Sequence, residues 1–335
     1  MLALQLDAIN QPVGLREVPA PAPGPGELLI DLRAAALNHR DVWIQKGQYA
    51  GITLPRTLGS DGAGTVAAHG PGVPAGAPAV GARVLLNPGH NWGDNPRAQG
   101  REFTILGMPH DGTFAQQIAV PARYVHPLPA HLSFAQGAAL PLAGVTAYRA
   151  AFTRAGVQRG ERVLVTGVGG GVALLALQLC VARGAEVWVT SGSAEKRARA
   201  QALGARGGAD YQAKNWAADL VKRAGGAFDV IIDSAAGPGF GALLDAAAPG
   251  GRLVFFGGTR GAIPNLPPAK VFWKQLSILG STMGTEQDFA QMLALVEASR
   301  LVPVVDQIFP LAEGEKALRW LDDGQQFGKI VLEIS

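Results

Sequence analysis

The chain has 335 residues, 48% of them hydrophobic and 16% charged, with a formal net charge of +3. That length exceeds one ordinary core and predicts two domains, and the composition excludes a disordered chain. The basic residues are scattered, so no nucleic-acid partner is expected. No run reaches the ~18 apolar residues of a membrane span, and Met1–Asp7 shows no basic, apolar leader, so a cytoplasmic protein without membrane contact is expected.

The first 124 residues read as β-rich. Asn10–Gly14 is a turn between two strands, and Pro19–Gly26 is a proline-rich connection. Glu27–Ala34 reads as a strand, and Leu37–Trp43 leads into a short helix that ends near Gly47. Leu58–Val66 has the glycine content of a strand bent at a barrel corner. Gly81–Leu86 and Gly112–Val120 are further strands, and residues 87–104 form a polar loop. From about residue 125 the pattern becomes strand–helix alternation, with strands at 161–166, 186–190, 209–211, 228–233, 252–256 and 276–281. Six strands joined by crossover helices predict an α/β, doubly wound parallel sheet of the Rossmann type. A helix, a strand, a helix and a last strand at Ile330–Ile334 complete the chain.

The centre of the second region is Glu161–Ala173, an apolar strand running into Gly167, Gly169, Gly170 and Gly171. Eleven residues follow, Val172–Ala182, whose only polar side chain is Gln178. A buried strand, a tight glycine turn and a buried helix are expected there. Glycine lets the backbone approach a ligand, and the free N–H groups at Gly171 and Val172 would meet an anion at the positive helix end. The spacing is G-x-x-G-x-x-A, at Gly167, Gly170 and Ala173, rather than the regular dinucleotide fingerprint. The one cysteine, Cys180, lies in that apolar helix, is expected to be a packed thiol, and rules out any intrachain disulfide or multi-cysteine zinc site.

Several motifs together carry a resemblance: Asn38-x-x-Asp41, Gly47-x-Tyr49, Gly59–Gly64, Gly112–Ala115, Thr146–Tyr148, Gly250–Val254 and Gly328–Leu332. The chain resembles the medium-chain dehydrogenase/reductase superfamily, and within it the zinc-independent quinone oxidoreductase branch. That resemblance implies a β-rich split-barrel (GroES-like) catalytic domain, 1–124 with 284–335, and a Rossmann domain, 125–283, with a cofactor between them. It also implies pairing into a homodimer through the edge strand 276–281. Loop 87–110 and Phe272–Trp273 are expected to shape the substrate pocket.

In zinc-dependent relatives the catalytic metal is held at the positions of Asn38, Ser60 and Leu142. None of these is a zinc ligand of the usual kind, so no metal is expected. An NAD enzyme would place an acid at the end of the second strand, where this chain has Gly192. Ser191, Ser193 and Lys196 suit a 2′-phosphate instead, so NADPH is the expected cofactor. An alternative leaves Ser193 as a helix cap and Lys196 on a solvated face. By resemblance, Tyr211 joins the phosphate contacts, and Thr146, Ser234, Phe256, Gly257 and Lys329 join the cofactor site. Asn38, Arg40, Asp41 and Tyr49 are the expected catalytic residues, with Asn38 and Tyr49 facing the developing charge and Asp41 ordering the loop. Three functions stay open: an NADPH-dependent reductase of quinones or other conjugated acceptors, a metal-free alcohol dehydrogenase or aldehyde reductase, and a non-catalytic NADPH-binding protein.

Overall fold

The computed structural model describes residues 1–335 and divides into two compact units. The first comprises Met1–Ala143, Thr285–Leu293 and Val302–Ser335, and the second Gly144–Gly284 and Ala294–Leu301. The chain thus leaves the first unit at 143/144, later than the change of rhythm at residue 125. The reason is local: the short helix Phe134–Ala138, capped by Ser133, packs on the strands Glu27–Ala36 and Asp61–His69 of the first unit.

The first unit is built on the strand Glu27–Ala36. Its main sheet runs Val125–Pro127, Arg83–Leu86, Asp61–His69, Glu27–Ala36, Lys329–Glu333, Val305–Pro310. Glu27–Ala36 is broken by two register shifts against Asp61–His69, and its two halves therefore take different partners. Glu27–Asp31 pairs with Gln117–Pro121, and Ala34–Ala36 pairs with Val331–Glu333. Ala36 pairs with Asp61, and the Leu37 N–H donates to the Ile330 carbonyl at 3.0 Å. This register brings residues 38, 61 and 329 to one place despite their distance in sequence. The core beneath is apolar and includes Leu28, Ile30, Val84, Phe114, Leu318 and Leu332. The loop 87–104 is tied by a two-residue ladder, Gly89–His90 against Thr104–Ile105, with Trp92 edge-on to Phe103.

In the second unit a six-stranded sheet runs Gly207–Ala209, Glu186–Thr190, Arg162–Val165, Phe228–Asp233, Ala247–Phe255, Ser277–Gly280, and every pairing is parallel. Numbered within the unit this is the order 3-2-1-4-5-6, the doubly wound arrangement. Val163, Leu164 and Val165 are fully buried, as expected for a strand with helices on both faces. Helix Gly171–Ala182 buries seven of its twelve residues, Cys180 among them, and burial pushes that thiol up to about 12. Ser277–Gly280 pairs on one side only and is the sheet's edge.

Candidate functional site

The order of the sheet locates a candidate cofactor site in the second unit. Strand order reverses between Arg162–Val165 and Phe228–Asp233, and such a switch point is where doubly wound sheets bind ligands. Gly167 follows the first of these strands with φ +66°, and a Cβ there would stand 2.6 Å from Ser234 Oγ. Ser234 follows the second strand, and its hydroxyl donates to the Thr166 carbonyl at 3.3 Å. A Cβ on Gly257 would stand 2.7 Å from the Ser234 carbonyl. Three strand ends therefore converge with little side-chain bulk. Helix Gly171–Ala182 has Gly170 as its N-cap and no side chain capping it. The N–H groups of its first turn, at Gly171 and Val172, are left for a ligand such as a pyrophosphate. Thr146 is 6% exposed, with its hydroxyl 3.9 Å from Met283 Sδ in the same unit.

The segment after Glu186–Thr190 carries the groups expected to select the cofactor. A Cβ on Gly192 would lie 3.1 Å from Gln212 Nε2 and 3.4 Å from Tyr211 Oη. An acidic side chain has little room there, and two polar tips already face the spot. Lys196 lies across the glycine turn, with Nζ 3.5 Å from where a Gly169 Cβ would stand. Arg260 stacks over the Tyr211 ring, its guanidinium carbon 5.4 Å from the centroid. Glu195 turns outward and pairs with Arg199 at 3.7 Å, so it does not offset Lys196. Ser193 does cap the following helix, accepting the Lys196 N–H at 3.2 Å, and its own N–H donates to Ser191 Oγ at 3.3 Å. These groups fit a phosphorylated ribose; Arg260 and Gln212 belong to the cluster although no motif in the sequence points to them.

A second cluster of candidate residues lies in the first unit and is described by itself. Lys329 is 4% exposed, and its ammonium donates to the Leu37 carbonyl at 2.6 Å, Asn38 Oδ1 at 2.6 Å and Asp61 Oδ2 at 3.0 Å. Asn38 Nδ2 donates to the same Asp61 oxygen at 2.9 Å, and Asp61 Oδ1 accepts the Leu142 N–H at 2.7 Å. All three protons of the Lys329 ammonium are used within this unit. Asn38 is tied at both ends of its amide, through Oδ1 and one of the two Nδ2 protons. Asp61, which sequence reading passed over, is the centre of this network.

Asp41 accepts the Asn38 N–H at 2.8 Å. Burial raises its carboxyl to about 6, against the opposing pull of the Arg40 charge, the Asn38 N–H and Lys329. Arg40 is 6% exposed and reaches across to Ser60 Oγ at 2.6 Å and the Leu106 carbonyl at 2.7 Å. Its Nε lies 3.4 Å from Tyr49 Oη, and its guanidinium carbon stands 4.9 Å over the Tyr49 ring. Asn38, Arg40, Asp41 and Tyr49 are thus brought together by one short helix, His39–Gln45, with Asn38 as its N-cap and Tyr49 in the turn after it.

The zinc positions can be tested against this geometry. Asn38 Oδ1 faces the Lys329 ammonium, Ser60 Oγ faces the Arg40 guanidinium, and Leu142 has an aliphatic side chain. Two of the three positions already face a cation of the chain, and the third has no donor, so these residues do not fit a zinc ion. No three His, Cys, Asp or Glu side chains are grouped as metal ligands elsewhere. His90 is stacked on Tyr124 at 3.8 Å, and burial lowers it to about 4.

Comparison with known proteins agrees with this layout. A family model described as an alcohol dehydrogenase GroES-like domain matches residues 24–130, and one described as a zinc-binding dehydrogenase matches residues 171–298. The chain is 36% identical to a zinc-type alcohol dehydrogenase-like protein of Leptosphaeria maculans, over 97% of this chain and 96% of that one. It is 31% identical to the quinone oxidoreductase of Rattus norvegicus, over 94% and 92% of the two chains. The crystal structure of an NAD-dependent alcohol dehydrogenase superposes with a TM-score of 0.95 at 38% identity, over 100% of both chains.

Proposed function

Because the chain belongs to the medium-chain dehydrogenase/reductase superfamily, an oxidoreductase family that binds a nicotinamide cofactor, we propose that it passes hydride from NADPH to quinones or other conjugated carbonyl or alkene acceptors without a metal. The observation that carries this reading is the replacement at positions 38, 60 and 142, where the chain's own Lys329 and Arg40 face the remaining oxygens. Without a Lewis acid, a simple ketone's alkoxide would lack its usual stabiliser, whereas a conjugated acceptor spreads the incoming charge over its π system. The cofactor supplies the hydride when bound. The chain's part is to hold it through the Gly167–Val172 turn and to favour its 2′-phosphate with Lys196, Tyr211 and Arg260. Asn38, Asp41 and Asp61 order the start of helix His39–Gln45, and Asn38, Arg40 and Tyr49 are the donors we assign to the acceptor.

A second reading is a metal-free, NAD-dependent alcohol dehydrogenase, favoured by the NAD-dependent alcohol dehydrogenase that superposes at a TM-score of 0.95. The two are separated by turnover of chelator-treated enzyme with quinones against saturated carbonyls. The first reading requires quinones to be preferred and activity to survive chelation; activity that is lost and then restored by zinc would contradict it.

Pairing through the edge strand belongs to the same proposal. Ser277–Gly280 has a free edge, and the helix before it, Pro268–Trp273, buries none of its residues. Phe272 is 60% and Trp273 81% exposed, with Leu266 nearby in sequence at 43%. So large an apolar area beside an unpaired strand suits the isologous face of a dimer better than a substrate pocket.

A further inference from the structure

The carboxylate of Asp233 is buried, and none of its partners is a cation. Oδ1 accepts the Thr166 hydroxyl at 2.5 Å, and the same hydroxyl oxygen accepts the Ser234 N–H at 3.2 Å. Oδ2 accepts the N–H groups of Ala235 at 3.3 Å and Ala236 at 2.7 Å. A buried charge is costly unless hydrogen bonds meet it, and here each of those bonds also fixes the turn Ser234–Gly237. Such a turn needs outside support. Ala236 has φ +56°, a region that a residue with a Cβ avoids, and Gly237 follows at +71°. The turn in turn seats a second loop. The Ala235 carbonyl accepts the Arg260 N–H at 3.0 Å, and a Cβ on Gly237 would stand 2.6 Å from the Arg260 carbonyl oxygen and 2.7 Å from the Arg260 Cβ. Arg260 itself is exposed, with its guanidinium over the Tyr211 ring. A continuous line of contacts therefore runs, inside the second unit, from the buried carboxylate to the cation beside Tyr211.

We propose that Asp233 is a positioning residue for cofactor choice: through the turn Ser234–Gly237 it holds Arg260 where the adenosine 2′-phosphate is read. This rests on the NADPH reading above, to which it adds what sets Arg260. An arginine whose loop is not seated on Ala235 and Gly237 would have to be ordered on binding, and that loss of freedom would offset its contact with the phosphate. The glycine turn expected to hold the pyrophosphate is anchored elsewhere. The Gly167 N–H donates to Thr190 Oγ1 at 3.2 Å, and the Val168 N–H donates to the Thr190 carbonyl at 2.9 Å. Loss of the Asp233 carboxylate should therefore reach the 2′-phosphate and spare the contacts that NADH and NADPH share.

The measurement is the ratio of NADH to NADPH Kd by fluorescence titration, with urea unfolding to establish that each variant is folded. Arg260→Gln should weaken NADPH about tenfold and leave NADH within about twofold. Asp233→Ala should do the same. Combined with Arg260→Gln it should lose no more than Arg260→Gln alone, because the two changes remove one contact. Asp233→Asn keeps an oxygen for the Ala235 and Ala236 N–H groups while its amide nitrogen faces Thr166 Oγ1, and should hold the preference within about threefold of wild type. If Asp233→Ala does not fold, Gly237→Ala decides: its methyl group pushes against the Arg260 backbone and should weaken NADPH about tenfold, with NADH again spared. Equal losses for both cofactors, or losses that multiply in the double variant, would overturn the proposal. A wild type that prefers NADPH and an Asp233→Ala variant that keeps the preference would overturn this proposal alone, whereas wild-type enzyme that binds NADPH no better than NADH would overturn the NADPH reading and this proposal together.

Discussion

Cutting the ammonium from Lys329, as in Lys329→Met, would leave Asp61 as a fully buried carboxylate with two donors, Asn38 Nδ2 at 2.9 Å and the Leu142 N–H at 2.7 Å. Breaking one side of a buried pair costs about 3–5 kcal/mol, and the two surviving donors put this case near about 3 kcal/mol. Asp61→Asn would strand the ammonium on two neutral acceptors, the Leu37 carbonyl and Asn38 Oδ1, at a similar cost of about 3 kcal/mol. The double variant has no stranded charge. It should therefore be less destabilised than the sum of the singles by at least about 2 kcal/mol. The assay is equilibrium urea unfolding of the four proteins at pH 7.5, read as midpoint shifts at unchanged slope. Single-variant losses that simply add, with coupling below about 0.5 kcal/mol, would refute the view that these groups form one coupled ion pair.

Three further outcomes follow from the same geometry. An ammonium–phosphate contact that is partly open to solvent is worth about 1–2 kcal/mol, so Lys196→Ala should weaken NADPH about 5- to 30-fold and leave NADH nearly unchanged in fluorescence titration. Asp41 is raised from 3.8 to about 6, so the folded state binds its proton more tightly than the unfolded state does. Its charge then costs stability as pH rises through that window, by up to about 3 kcal/mol, and stays a cost above it. Asp41→Asn keeps an acceptor for the Asn38 N–H, so its advantage over wild type in urea should grow between pH 4 and pH 7; a constant difference would contradict this. Ile278→Pro removes an N–H from the edge strand and should convert a dimer to monomer in light scattering, while a monomeric wild type at micromolar concentration would dispose of the dimer.

Much of the second unit was legible from periodicity, because parallel strands are short apolar runs and their crossover helices fill the intervals. Helix Trp216–Arg223 fills one of those intervals, and the strand expected at 276–281 is Ser277–Gly280. The glycine turn was legible because its backbone requirement is local: Gly167 and Gly169 both have positive φ. The first unit was harder. Asp61 and Lys329 are 268 residues apart and meet only because the strand Glu27–Ala36 changes partners midway, which no local pattern signals. Lys329 was noticed for its motif, but its commitment to Asn38 and Asp61 depends on that register. Nor does any local pattern signal that Arg40 Nη2 is buried without a hydrogen-bond partner. The chain leaves the first unit only after Ala143 because Phe134–Ala138 packs there, although the strand–helix rhythm begins near residue 125.

The central claim is that the residues in place of a metal direct hydride to acceptors that delocalise the charge. NADPH oxidation by chelator-treated enzyme should be compared across 1,4-benzoquinone, 9,10-phenanthrenequinone, a linear enone, a saturated ketone and an aldehyde. The account predicts that the best quinone or enone exceeds the saturated carbonyls at least about tenfold in kcat/KM, about 1.4 kcal/mol of transition-state stabilisation. A preference for the ketone or aldehyde, or turnover that depends on added zinc, would contradict it.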